Sequence, residues 1–126
     1  MNELRTILYK VSQSTGTASK DIQGKSRQRR FTVPRFLYCR LARLLTDATY
    51  GEIGREIGDR DHTTVMHSIK EIKDKISTND SFTRMYIRRV LEVHPEWSPY
   101  LLKDLPKEYN GSTCSPVRIE IKKMFV

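Results

Sequence analysis

The chain has 126 residues, enough for one domain core and little more. Its 23 Lys and Arg against 15 Asp and Glu leave a net charge of +8, which favours a polyanionic partner such as nucleic acid or an anionic membrane. No run approaches the roughly 18 consecutive apolar residues of a membrane span, and Met1–Arg5 lacks the basic start and apolar run of a signal peptide, so a cytoplasmic protein without a membrane partner is expected. The two cysteines, Cys39 and Cys114, have neither metal-ligand spacing nor disulfide-scaffold density, and both are expected to be reduced, with Cys39 in the core.

Leu4, Ile7, Leu8 and Val11 follow the i, i+3, i+4, i+7 rule and predict a first helix over about residues 3–13. Ser14–Thr17 breaks that pattern with turn formers, and Ser19–Ile22 predicts one short helical turn. From Ile22 to Thr46 there are seven basic residues and no acidic one. Lys25–Arg30 has no apolar anchor and is expected to be a solvated basic loop. Thr32 is then the expected N-cap of the next helix, with Pro34 in its first turn. In that helix Val33, Leu37, Leu41, Leu44 and Leu45 form the expected buried stripe, while Arg35, Arg40 and Arg43 point elsewhere; Arg40 can also pair at the core's edge.

Thr49-Tyr50-Gly51-Glu52 fits the capping box, and a short helix is expected to about Ile57, closed by Gly58 in the left-handed conformation. Asp61 can cap the next helix, whose stripe is Val65, Ile69, Ile72 and Ile76. Two short helices joined by a glycine-containing turn make a helix-turn-helix. Phe82, Met85, Tyr86, Val90 and Leu91 predict a further helix over about 81–93, stopped by His94-Pro95. The remainder reads as irregular, with an alternating strand signal at 117–122. The expected organisation is a DNA-binding domain at 1–77 and an extension at 78–126.

The first side chains of a helix entering the major groove end-on meet the bases. Asp61, His62, Thr63 and Thr64 hold that position here. Aspartate accepts from the amine of cytosine, histidine bonds a purine edge, and threonine offers a hydroxyl and a methyl that matches thymine's. Arg60, His67 and Lys70 flank them as candidate phosphate ligands.

The segment Gly58-Asp59-Arg60-Asp61-His62-Thr63-Thr64-Val65-Met66-His67 resembles the signature of the C-terminal DNA-binding domain of bacterial DnaA replication initiators. The likeness extends through Leu41–Thr46, Tyr50–Gly54 and the basic loop ending at Pro34-Arg35, covering about Leu4 to Lys75. The resemblance implies an all-α helical bundle with a Trp-repressor-like helix-turn-helix and double-stranded DNA as partner. It implies that Asp61, His62 and Thr63 read bases in the major groove and Arg27 reaches the adjacent minor groove. Arg29, Arg35, Arg43, Arg60, Thr64 and His67 would hold phosphates, and Lys25, Arg30, Thr46, Gly51 and Lys70 complete the interface. Three positions depart from the family pattern. Asp59 stands where a second glycine is usual, Gly51 where a proline commonly touches a thymine methyl, and Phe36 where a long polar residue is common. No Gly-x-x-x-x-Gly-Lys-Ser/Thr loop occurs, so the initiator's ATPase is not expected.

A bland reading of Asp61-His62, a helix cap with an exposed neighbour, is outweighed by the ten-residue context. His62 and His67 lie five apart, on different helix faces, which disfavours a metal site. His62 and Thr63 lack an orienting partner for nucleophilic catalysis, so neither an enzyme nor a cofactor is expected. Narrow minor grooves attract arginine, which makes the basic loop more than a solvated charge run. RNA is disfavoured because a helix cannot enter the narrow major groove of an A-form duplex. The alternatives kept are a transcriptional regulator, and an interaction module whose C-terminal extension binds a protein partner or itself. Trp97, Tyr100, Leu101 and Leu102 would form that self-association surface, or else a cover packed back on the domain.

Overall fold

The computed structural model describes residues 3–102, and its periodic stripes become helices. These are α1 (Glu3–Thr15), α2 (Ser19–Gln23), α3 (Arg29–Leu45), α4 (Tyr50–Arg55), α5 (His62–Ser77), α6 (Ser81–Val93) and α7 (Ser98–Leu102), with a 3-10 turn at Pro95–Trp97 before α7. The described residues contain no strand, and the fold is all-α. The strand expected at 117–122 and Cys114 lie outside the described residues. No helix among the described residues is long and apolar enough to cross a membrane. The chain divides into two compact units between Ile72 and Lys73, within α5.

In the first unit α3 is the central helix, with α1, α2 and α4 against it. Leu4, Ile7, Leu8 and Val11 of α1, Ile22 of α2, Ile53 of α4, Ile57 beyond it, and Val65 and Ile72 of α5 are all buried. Each such side chain contributes about 1.5–3 kcal/mol relative to an exposed one. That shared core holds α2 and α4, which at five and six residues are far too short to persist alone.

Because α3 is enclosed, its burial is wider than a stripe. Tyr38, Cys39 and Ala42 join Val33, Leu37 and Leu41 in the core. Arg35, expected to point away, is only 5% exposed, and Arg40, for which a place at the core's edge is the alternative, is 3% exposed. The last turn emerges into solvent, so Leu44 is exposed and Leu45 half-buried, contrary to the expected stripe. The helix also starts earlier than expected. Gln28 is its N-cap, and the Gln28 carbonyl accepts from the N–H groups of both Phe31 and Thr32. Thr32 therefore does not cap, Arg29 and Arg30 are helical, and Pro34 lies inside the helix.

In the second unit, α5 ends at Ser77 in a Schellman turn. Asn79 has φ +56°, with Asn79 N–H donating to the Ile76 carbonyl and Asp80 N–H to that of Lys75, both at 3.0 Å. Asp80 then caps α6, its Oδ2 accepting from the N–H and hydroxyl of Thr83, each at 2.9 Å. Tyr86, Ile87, Val90 and Leu91 form the buried face of α6; Met85, expected there, is exposed, and Ile87 takes its place. His94, preceding Pro95, ends α6 and stacks on Trp97 at 4.5 Å between centroids. Trp97 and Leu101 are buried, and the segment expected to be irregular is helical through Leu102.

Candidate nucleic-acid interface

The helix-turn-helix is built from local bonds at its corners. Thr49 Oγ1 accepts from Glu52 N–H at 3.1 Å, and Glu52 Oε1 accepts from Thr49 N–H at 2.9 Å. This capping box holds the Glu52 carboxyl below its ordinary pKa. Helix α4 stops at Arg55, two residues short of expectation, because the chain bends back on the Gly54 carbonyl. That carbonyl accepts from Ile57 N–H at 3.2 Å and Arg60 N–H at 2.9 Å. A Cβ at Gly54 would collide with the Arg60 carbonyl, so only glycine permits so close a return. Gly58 and Asp59 follow at φ +83° and +56°, two left-handed residues in succession. Gly58 thus belongs to the turn itself and not to the end of α4.

Asp61 Oδ1 accepts from Thr64 N–H at 2.8 Å, the expected N-cap, and that bond holds the carboxyl below its ordinary pKa. Burial of Val65, Ser68 and Ile72 fixes the rotation of α5. His62, Thr63, Thr64, Met66, His67 and Lys70 are consequently exposed on its outer side. His62 Nε2 and Thr63 Oγ1 approach to 3.5 Å. Met66, 49% exposed, was given no role from sequence; an apolar residue off the Val65–Ile69–Ile72 stripe is the signal that marks it.

Lys25, Arg27, Arg29 and Arg30 are exposed, as a groove-facing basic segment requires. Arg30 Nε donates to Gln28 Oε1 at 2.8 Å, and its guanidinium lies 4.6 Å from the Phe31 ring centre. Arg43 is exposed and lies over Tyr50 at 4.5 Å, with Nη1 donating to the Ala48 carbonyl at 3.0 Å. Thr46 and Gly51 are half-buried, and Thr46 Oγ1 donates to the Ala42 carbonyl at 2.6 Å.

Two expected phosphate ligands occupy a different setting. Arg35 Nε donates to the Ile22 carbonyl at 2.7 Å, Nη1 to Ser26 at 3.1 Å, and Nη2 to Gly24 at 2.9 Å and Asp21 at 3.4 Å. Burial, and secondarily Arg60, pull its pKa down to about 10. Arg60 is half-buried and donates to the carbonyls of Gln23, Ile57 and Gly24. Burial lowers its pKa also. Both turn inward onto backbone carbonyls: Arg35 at the end of α2 and in the α2–α3 connection, Arg60 at Gln23, Gly24 and, in its own turn, Ile57. Gln23, not singled out from sequence, adds a bond from Nε2 to the Glu56 carbonyl at 2.8 Å; no periodicity marks it. No group of three or more His, Cys, Asp or Glu side chains placed to hold a metal occurs among the described residues.

Residues 4–72 match the family described as the bacterial dnaA protein helix-turn-helix. The chain belongs to this family. It is 44% identical over 63 residues to the chromosomal replication initiator protein DnaA of Lactobacillus helveticus (strain DPC 4571), covering 50% of this chain and 14% of that protein. The protein of the same name from Herpetosiphon aurantiacus is 41% identical over 73 residues, 58% of this chain and 16% of the relative. That from Lacticaseibacillus casei is 35% identical over 81 residues, 64% and 18% respectively. The chain thus matches less than a fifth of the length of these DnaA relatives, and the family match at residues 4–72 spans the helix-turn-helix and the helices that brace it.

Proposed function

We propose that this chain binds duplex DNA sequence-specifically, as a DnaA-type helix-turn-helix acting without catalysis. The observation that carries the reading is the exposed tip at His62 and Thr63, held at the capped start of α5 and accompanied by an exposed arginine segment at Lys25–Arg30. Asp61, His62 and Thr63 contact base edges in the major groove, and Arg27 enters the adjacent minor groove. Arg29, Arg30, Arg43, Thr64, His67, Lys25 and Lys70 hold phosphates and supply most of the affinity. Membership of the DnaA family supports a role at replication-initiation sites. The test is selection of bound sequences from a random duplex pool. Enrichment of a site like those bound by the initiators supports that role; a different motif reassigns the chain to transcriptional control. No enrichment, or preference for an RNA duplex in competition, defeats the reading.

A further inference from the structure

The connection between α2 and α3 carries the minor-groove candidate Arg27, while the turn before α5 carries the major-groove tip. These segments are stitched together. Gln23 Nε2 reaches the Glu56 carbonyl at 2.8 Å. Arg60, one residue before the Asp61 cap, reaches back to the carbonyls of Gln23 and Gly24. Arg35 grips the same connection from the α3 side, at Gly24 and Ser26, and the end of α2 at Asp21 and Ile22. The peptides on both sides of Arg27 are thereby held, Ser26 by its carbonyl bond to Arg35 and Gln28 by its N–H bond to Ser26 Oγ at 3.2 Å. Gly58 completes the seam, since a Cβ there would collide with the Gln23 carbonyl.

We infer that Arg60 and Arg35 are positioning residues which, with Gln23, fix the separation between the Arg27 arm and the Asp61–Thr63 tip, so that the two groove contacts form as one unit. The proposal rests on the duplex-DNA reading above and assigns Arg60 a role other than independent phosphate binding. A guanidinium suits it because its planar fork places donors on separate nitrogens, here Nη1 and Nη2, and so reaches carbonyls set further apart than the single nitrogen of an ammonium can. With the connection held before DNA arrives, Arg27 enters its groove without a separate ordering cost.

A double-mutant cycle decides between positioning and direct contact, because independent contacts give multiplicative losses and coupled ones do not. The probes are the duplex enriched from the random pool by the unaltered full chain, and a scrambled duplex of equal composition. Arg27→Ala alone is expected to weaken the enriched duplex about tenfold, in line with one lost groove contact. In an Arg60→Met background the same change is expected to cost less than about twofold. A second cycle with Gln23→Ala, which removes no charge, is expected to shrink the Arg27 effect while leaving the salt slope unchanged; it decides the matter if Arg60→Met fails to fold. Losses that multiply in the Gln23 cycle, or in a folded Arg60 variant, overturn the coupling, as does an Arg27→Ala protein that binds like the unaltered chain. Failure of the unaltered chain to enrich any duplex is a separate result, read before any cycle, and it defeats the DNA reading together with the clamp built on it.

Discussion

Arg35 and Arg60 come from different elements and donate to the same acceptor, the carbonyl of Gly24. Placing two cations side by side is unfavourable, and Arg60 contributes to lowering the Arg35 pKa. The repulsion is offset by the hydrogen bonds that both guanidinium groups donate to backbone carbonyls. Hydrogen bonds to a charged group are worth about 1.5–3 kcal/mol each, though not additively. Arg35→Met keeps the apolar stem but removes every donor, and is expected to lower unfolding stability by about 2–4 kcal/mol. Urea denaturation measures this; an unchanged midpoint would show that the carbonyls find other donors at no cost.

Asp59 gives a second test. At φ +56° it occupies the left-handed region, which glycine adopts without strain and most other residues do not. An aspartate tolerates this conformation better than alanine does, because its short side chain bonds locally. Asp59→Ala is therefore expected to lose about 1 kcal/mol, while Asp59→Gly stays level or gains up to about 1 kcal/mol. This order reverses the usual preference for alanine over glycine. Thermal denaturation of the two variants decides it, and an alanine variant as stable as the glycine one would remove the strain argument.

Much of the framework was legible from spacing. The α1 stripe, the Thr49–Glu52 capping box and the Asp61 cap each depend on neighbours three or four residues away, and each appears as expected. What escaped depends on partners distant in sequence. Arg35 reads as an outward-facing cation until Ile22 and Gly24 are placed beside it, and Gln23 has no local mark of its bond to Glu56. The start of α3 was misplaced because Arg29 and Arg30 carry no apolar anchor, although Gln28 opens the helix through backbone bonds alone. At the candidate interface the exposed tip followed from rotation of the α5 stripe. The inward turn of Arg60 did not.

Burial of Cys39 makes stability depend on pH at the alkaline end. The thiol is pushed up to about 12 by desolvation, against an unfolded value of about 8.5. Between those values the unfolded chain has released the proton and the folded chain keeps it, so this group's contribution to stability falls as pH rises. Tyr38 is raised in the same sense, whereas the lowered pKa of Arg35 acts oppositely. The informative quantity is accordingly a difference. Cys39→Ala is expected to lose less stability than the unaltered chain between about pH 9 and 11. Parallel pH profiles from denaturant unfolding would exclude the thiol as the source.

His62 and Arg43 separate reading from holding. His62 is exposed at the tip of α5, where its ring can meet a base edge. Arg43 is exposed in the last turn of α3, supported by the Tyr50 ring and the Ala48 carbonyl. One donor is engaged there and others of the five remain to face a phosphate. His62→Ala is expected to reduce discrimination between the enriched and scrambled duplexes by about 1–3 kcal/mol, with little change on the scrambled one. Arg43→Ala should weaken both duplexes together and reduce the slope of log affinity against log salt by about 1. Fluorescence anisotropy titrations at several salt concentrations measure both quantities. Equal losses on both duplexes for His62→Ala would move that residue to the phosphates, and an unaltered salt slope for Arg43→Ala would remove Arg43 from them.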